Sequence, residues 1–411
     1  MVTKEKVIFR FDRNISYITI NKLISFLKDC TKKNIEEVKL SFSKGNSAVL
    51  PSVATILGGL LCHYKEKRGF KFSFENTPQY LLKAKVFDPA KASRVVFKKN
   101  RFIFDKLFIF EEANEVCILS KRVLDFISNS FVCCPGTIEG LSWCMNEIMD
   151  NVLNHSRISK GYFMAQLHSA TNRISISIYD TGIGLMKSIN SSSNYHVESE
   201  EEAIRTVLKK GVTRDENLGQ GNGIWGLNQI IKENKGYFAI MSGHSQINWD
   251  FRDGPSDGNV IKSIPTIDNY VYGTRIDFSM CFGNSFDIMH ALDNYQTMSN
   301  FKYEIEDRML NSNWINFKVV DECKKGVGTR SSGLAARNLL INILNNSSEN
   351  LVIDFKDSDF ISSSFADEFI AKLKQEYAQW FEEKRIIIVG CNDFNASMIE
   401  KACRERMVSK S

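Results

Sequence analysis

Three short segments carry residue types that could do chemistry together. The first is Glu147-Ile-Met-Asp-Asn151, a carboxylate and an amide four residues apart and therefore on one face of a helix. The second is Asp180-Thr-Gly182-Ile-Gly184, an aspartate followed by two spaced glycines. The third is the cluster Gly219-Gln-Gly221-Asn-Gly223, which runs on into Ile224-Trp-Gly226-Leu and a helical pattern. Each part has a use if a nucleotide binds. An ionised Asp180 can accept a hydrogen bond from the amino group of a base, a contact worth roughly 1.5–3 kcal/mol. Gly182 and Gly184 let the backbone approach a base where a Cβ would clash. Gly219, Gly221 and Gly223 bring backbone N–H groups to a helix N-terminus, an arrangement that cradles phosphates. Asn151 offers a neutral oxygen to Mg2+, which takes hard oxygen ligands and keeps several waters. Glu147, one turn earlier, could polarise a water or hydroxyl for attack on a γ-phosphate. Alone each signal is weak, since D-x-G-x-G occurs in many turns. The ordered triple is the signal.

The elements that must position these residues follow from periodicity. A helix is expected from about Pro135 to Asn154, with Ile138, Leu141, Met145, Ile148 and Val152 on one apolar stripe. Glu147, Asn151 and Asn154 fall on the roughly opposite face, which a surface helix turns to water. Two strands follow, GYFMAQLHS and NRISISIYD, and the second runs directly into Asp180. A long polar stretch, about 186–218, contains the charged helical piece SEEEAIRTVLKKG, and a connection of that length suits a lid. Lys209, Lys210 and Arg214 lie in it, and any of them, Lys210 included, could reach phosphates. The simpler reading makes all three solvated charges that balance the acidic run at 198–202. A helix over about Asn222 to Asn234 and the strands GYFAIMS and VYGTRIDFSM complete a block at about 131–283.

On either side the chain reads as small β/α blocks. Residues 37–42 form a strand with Val38, Leu40 and Phe42 on one face, followed by a helix at 52–66, the strand GFKFSFEN and a short helix in PQYLLKAKVF. Near the other end LVIDF, the loop DSDFISSS, the helix FADEFIAKLKQEYAQWFEE, the strand RIIIVG and the helix NASMIEKACRE repeat that order. A remote internal duplication and ordinary β/α layering both account for it.

Composition narrows the class. Of 411 residues, 43% are hydrophobic and 25% charged, which excludes an intrinsically disordered chain. Six prolines leave no Pro-rich linker to mark domain edges. The ten cysteines contain no C-x-x-C pair, so zinc-ribbon and thioredoxin-type readings fail. The start, MVTKEKVIFRFDRN, has charges where a signal peptide needs an apolar core, and no apolar stretch is long enough to span a bilayer. A soluble, reduced, cytoplasmic protein without a membrane segment is expected. The net charge of +5 permits nucleic-acid binding without suggesting it.

The ordered triple resembles the N-, G1- and G2-boxes of the GHKL ATPases (gyrase, Hsp90, histidine kinase and MutL type). Within that superfamily WCMNEIMDNVLNHS is most similar to the anti-sigma-factor serine kinases. The resemblance implies a central two-layer α/β sandwich, the Bergerat fold, flanked by two small β/α STAS-like blocks. It implies ATP and Mg2+ as cofactors, Glu147 as general base and Asn151 as the Mg2+ ligand. It further implies Asp180 as the adenine contact beside Gly182 and Gly184, and Gly219, Gly221 and Gly223 at the phosphates. Gly273-Thr274 sits where the family carries a Gly-Thr on its final strand. GQGNGIWGL is longer than the family's plain G-x-G-x-G-L. The C-terminal block, with GTRSSGLAARNLL and VIDFKDSDFISSSFADEF, resembles STAS-like domains related to anti-sigma-factor antagonists, where a serine at a helix start is phosphorylated. Ser362, Ser363 and Ser364 are the candidates, although the antagonists' Asp before and Gly after the serines are here Ser362 and Phe365. A cap built on Ser364-x-x-Asp367 is the structural alternative. The expected domains are 1–110, 111–285 and 286–411.

The leading expectation is an ATP-binding switch with slow hydrolysis, working as a homodimer or on a protein partner. A protein serine kinase is the alternative. A nucleic-acid-dependent ATPase is a further one, with KEKRGFKF and KKNRF as its basic-aromatic segments. A two-component histidine kinase is disfavoured, because none of the six histidines is followed by an acidic residue.

Overall fold

The computed structural model describes residues 7–43, 49–95, 103–156, 160–192, 194–212, 222–262, 264, 273–294, 300–311, 313–323, 326–358 and 360–408. The chain divides into two compact units. One comprises Met1–Val123, Trp143–Cys281 and Ala291–Asp293, the other Leu124–Ser142, Phe282–His290 and Asn294–Ser411.

In the first unit, strands β1 (Val7–Arg10), β2 (Glu37–Ser41) and β3 (Lys71–Glu75) make a parallel sheet in that order. Phe9, Val38 and Leu40 share its buried face. Helix α1 (Tyr17–Lys32) buries Ile20, Leu23, Ile24, Leu27 and Cys30, the 3–4 spacing of an amphipathic helix. Helix α2 (Pro51–Arg68) is apolar nearly all round, which suits a helix covered on two sides. It has Pro51 in its first turn and stops at Gly69 in the left-handed conformation.

The second face of α2 lies on the large sheet. That sheet contains β4 (Ala90–Lys91), β5 (Leu107–Phe110), β6 (Gly161–His168), β7 (Arg173–Asp180), β8 (Tyr237–Ser242), β9 (Ser245–Asp250), β10 (Asn259–Ile261) and β11 (Thr274–Cys281). Its spatial order is β10-β9-β8-β11-β7-β6-β5-β4, antiparallel throughout except for β4 with β5. A Cβ on Gly59 would stand 2.7 Å from the Tyr179 ring and 3.1 Å from Tyr162, so only glycine lets α2 come this close. The Thr55 and Ser177 hydroxyls share a buried 2.8 Å hydrogen bond across the same contact. Core residues of the N-terminal block and Tyr162, Met164, Tyr179 and Met241 of the large sheet belong to one buried cluster.

Alternation along β7 then fixes the faces. Ser177 and Tyr179 turn towards α2, so Ile174, Ile176, Ile178 and Asp180 turn the other way. In β11 their register partners Met280, Phe278, Ile276 and Thr274 do the same. Four helices complete the unit's chemistry-bearing part or lead into it: α3 (Ala113–Ser130), α4 (Thr137–His155), α5 (Glu200–Val207) and α6 (Gly223–Glu233). The apolar stripe of α4, Ile138 to Val152, is buried as its spacing requires. Trp143 of α4 packs where a Cβ on Gly226 of α6 would stand.

The second unit holds a smaller sheet, β12 (Met309–Asn311), β13 (Trp314–Lys318), β14 (Asn350–Asp354) and β15 (Ile386–Val389), in sequence order. β13, β14 and β15 run parallel and β12 antiparallel. Helix α7 (Arg330–Asn345) precedes β14. A helical run of Ser363–Ala366, a π turn at Asp367–Ala371 and Lys372–Glu376 follows β14, and α8 (Asp393–Val408) follows β15. The capping residue of that run is Ser362, not Ser364. The Ser362 hydroxyl accepts from the Phe365 N–H at 3.1 Å, because the helix starts two residues earlier than the Ser364-x-x-Asp367 pattern implied. The mixed α/β architecture is as expected. What periodicity did not anticipate is the second covering of the large sheet by α2.

Candidate nucleotide site

Asp180 is the last residue of β7, and it is 4% exposed. Gly161 of β6 and Thr274 of β11 are its register partners on either side. The chain turns immediately afterwards, and the Gly182 N–H donates to Asp180 Oδ1 at 2.7 Å. Burial pushes the Asp180 carboxyl up to about 7, against the opposing pull of the Gly182 and Thr274 N–H groups. Among the described residues no cation pairs with it.

Four backbone features shape the loop beside Asp180. A Cβ on Gly182 would collide with the Ser156 carbonyl and lie 2.7 Å from Asp180 Oδ1. Gly184 has φ +79°, a conformation other residues resist. The Gly273 N–H donates to the Gly182 carbonyl at 2.9 Å, which zips the Gly-Thr pair at the head of β11 to the Asp180 loop. The Leu185 N–H donates to Ser242 Oγ at 2.8 Å and ties the loop's far end to β8.

Glu147 and Asn151 do not face open water. Both are half-buried, and only Asn154 of the expected polar face is exposed. The reason is α6. Its first residue, Gly223, sits so close that a Cβ there would lie 2.8 Å from Glu147 Oε2 and 3.1 Å from the Asn151 amide nitrogen. Burial raises the Glu147 carboxyl, and the neighbouring Asp150 charge adds to the effect. The single helix α4 thus meets the third segment at Glu147 and Asn151, and Ser156 just beyond its end meets the second at Gly182. Gly219, Gly221 and Arg214 lie outside the described residues.

The piece leading to the third segment is tethered on several sides. Ser199 caps α5 by accepting from the Glu202 N–H at 3.1 Å, and Glu202 accepts from the Glu198 N–H at 2.8 Å. Lys210 Nζ pairs with Asp293 at 3.0 Å and lies 4.9 Å from the Trp225 ring centroid. The Gly211 N–H donates to Asn222 Oδ1 at 3.2 Å. Neither the Asn222 clasp nor the Ser242 contact was anticipated, since each joins residues with no shared local pattern.

The same holds for Arg275 and Asp277, one and three strand positions beyond Thr274 and facing α2. Arg275 is fully buried, with Nε on Asp277 at 2.7 Å, Nη2 on Gln246 at 2.9 Å and the Tyr17 ring centroid 4.6 Å away. In the second unit the buried Glu368 takes salt bridges from Arg330 at 3.0 Å, Arg337 at 3.2 Å and Lys372 at 2.7 Å. Of the three candidate serines there, Ser362 caps its helix and shares a 3.0 Å hydroxyl contact with Ser364, while Ser363 is exposed.

Among the described residues no group of three or more His, Cys, Asp or Glu side chains could hold a metal ion. A lone amide oxygen such as that of Asn151 suits Mg2+ arriving with phosphate oxygens and waters, since Mg2+ seldom uses an all-protein cage. Among the described residues no helix is long and apolar enough to cross a membrane.

Comparison with known proteins bears mainly on the second unit. Residues 335–395 match the model of a STAS-like domain of unknown function (DUF4325), which runs from α7 into the start of α8. No curated protein matches the sequence. Among solved structures, full-length ShkA in complex with AMPPNP is similar over 67% of this chain, with 10% sequence identity and a TM-score of 0.22. The chain spans about half the length of that structure, 50%.

Proposed function

We propose that the first unit binds Mg-ATP in the manner of the GHKL ATPases and hydrolyses it slowly, and that this cycle switches a partner protein or a second copy of the chain. The observation that carries the reading is the meeting of Gly223 with Glu147 and Asn151, two segments 72 residues apart that have no structural need to share a site. Asp180 supports it: a buried carboxylate held only by backbone N–H groups retains acceptor capacity for a base amino group.

In this reading Asp180 accepts from the base, and Gly182 and Gly273 keep side chains out of its way. The N–H groups at the head of α6 face the phosphates, helped by the helix dipole. Asn151 would hold Mg2+ through its amide oxygen, and bound Mg2+ would neutralise phosphate charge. Glu147 takes a proton from the attacking water at Oε2, and its raised carboxyl makes it a better base than a solvated glutamate. Lys210, pinned on Asp293 and Trp225, reaches phosphate only if that pin releases. All ten cysteines are free, as a reducing cytoplasm would keep them.

The experiment is a double dissociation on the full chain. Asp180→Ala should abolish ATP binding by calorimetry, whereas Glu147→Gln should bind ATP but release phosphate at least about 10²-fold more slowly. Equal ATP binding by wild type and Asp180→Ala would sink the assignment. The exposure of Ser363 favours a second reading, transfer of the γ-phosphoryl group to serines 362–364. Mass spectrometry after incubation with ATP separates the two, because phosphate released to water without phosphoserine eliminates the kinase.

A further inference from the structure

Tyr179 is fully buried at the penultimate position of β7, so its ring turns to the face opposite the Asp180 carboxyl and meets α2. Two glycines hold that ring by its edges. A Cβ on Gly59 of α2 would stand 2.7 Å from Cε1 and 2.9 Å from Cδ1. At the opposite edge, a Cβ on Gly273 would stand 3.1 Å from Cε2 and 3.2 Å from the hydroxyl oxygen. Both contacts need a residue without a side chain. One helical turn before Gly59, Thr55 shares its buried 2.8 Å hydrogen bond with Ser177, two residues before Tyr179 on the same strand face. A Cβ on the neighbouring Gly58 would collide with the Leu107 side chain of β5. Helix α2 is thus fixed against the large sheet both along its axis and in height.

The far side of Gly273 belongs to the candidate nucleotide site. Gly273 has φ +67°, and its N–H donates to the Gly182 carbonyl at 2.9 Å. The Gly182 N–H in turn donates to Asp180 Oδ1 at 2.7 Å and aims the carboxyl. A continuous line therefore runs through Gly59, Tyr179, Gly273, Gly182 and Asp180, all within the first unit. A close-packed interior has low compressibility and passes a displacement on rather than absorbing it. Glu147, Asn151 and Gly223, on α4 and α6, are not links in that line.

We infer that Tyr179 is a positioning residue for nucleotide affinity: its ring transmits the seat of α2 to the Gly273–Gly182 bond, so that the N-terminal β/α block tunes the base-binding end of the site. This rests on the reading of the first unit as an ATP site. It gives the second covering of the large sheet a role beyond burial. Because the line ends at Asp180 and bypasses Glu147, its disturbance falls on binding and not on hydrolysis once nucleotide is bound.

The test uses the full chain with Gly59→Ala, with Tyr179→Leu, with the two combined, and with Tyr179→Phe, which keeps both ring edges. Calorimetry should show ATP and ADP binding weakened at least about ten-fold in Gly59→Ala and in Tyr179→Leu, with kcat at saturating ATP within about two-fold of wild type. Tyr179→Phe should keep wild-type affinity within about two-fold. The combined variant should bind no more weakly than Tyr179→Leu, because without the ring the methyl added by Gly59→Ala has nothing to push. Hydrogen exchange without nucleotide should be faster at Gly182 and Gly273 in Gly59→Ala and Tyr179→Leu, with residues 143–155 and 223–233 unchanged. Wild-type exchange at Gly182 and Gly273 together with wild-type affinity in Gly59→Ala, even in a protein that melts earlier, would overturn the inference and leave Tyr179 a packing residue. Additive losses in the combined variant, or a loss confined to kcat, would overturn it too. If wild type binds no ATP, the ATP reading fails, and the exchange arm alone still decides whether Tyr179 holds the Gly273–Gly182 bond.

Discussion

Asp180 and Glu368 are both carboxylates buried to less than a twentieth of their surface, and they are held in opposite ways. Glu368 sits among Arg330, Arg337 and Lys372, with Arg406 paired to its neighbour Asp367. Its charge is answered within the fold. Asp180 has no cation among the described residues and only backbone N–H groups, so burial raises its carboxyl to about 7. Burying a charge costs several kcal/mol unless it is paired. Among the described residues cations answer the charge at Glu368 and none does so at Asp180, so the first serves the fold and the second keeps acceptor capacity. The difference is legible only once partners are known, because both residues sit beside helix starts or strand ends with ordinary local sequences.

The comparison can be broken most sharply at Glu368. Glu368→Ala strands Arg337 in a buried position with one of its two partners gone, and should cost the second unit about 3 kcal/mol in denaturant unfolding. No measurable loss would mean the network is ornamental.

Asp180→Asn should do the reverse. It removes a charge that no cation among the described residues compensates and keeps the shape, so at pH 8 the nucleotide-free variant should be more stable than wild type, on the order of 1–2 kcal/mol. A destabilised variant would show that Asp180 is structural after all.

The pH dependence sharpens the same point. The folded value of Asp180 is raised above the unfolded one, so its contribution to stability is fully present below about 4 and is lost as pH rises through about 7. The Asp180→Asn advantage should therefore shrink as pH falls from 8 towards 5. ATP affinity should move the opposite way, falling by up to about ten-fold per pH unit below 7, because a protonated carboxyl has lost its place as an acceptor of charge-assisted bonds. Calorimetry at pH 6 and pH 8 on wild type checks this, and a flat profile would contradict it.

The smallest expected effect is at Lys210. Its pair with Asp293 is exposed, and such pairs contribute about 0–1 kcal/mol. Lys210→Met should change stability little and ATP affinity less than about two-fold. A loss beyond ten-fold would move Lys210 from the Trp225 pin to the phosphates.

Much of the frame was legible in the residues. The apolar stripe from Ile138 to Val152, the alternation of Ile174, Ile176 and Ile178 into Asp180, and the glycine-led helix at 223 are short-range patterns whose physical cause is local. A polar face on a surface helix would turn Glu147 and Asn151 to water, and both are instead half-buried, because a helix 72 residues further along meets them at Gly223. The cap at Ser362 rather than Ser364 shows a smaller version of the same limit, since adjacent serines offer the same hydroxyl and only backbone geometry selects one.

The sequence by itself determined which residues could do chemistry and on which kind of element each one stands, because helix and strand periods and glycine's missing Cβ act within a few residues. Tertiary structure alone decided which of them meet, which are buried and what answers their charge. The contacts of Gly223 with Glu147, of Asn342 with Cys133 and of Arg275 with Tyr17 span from tens to hundreds of residues. Burial and pairing belong to contacts of that range, and no local pattern encodes them.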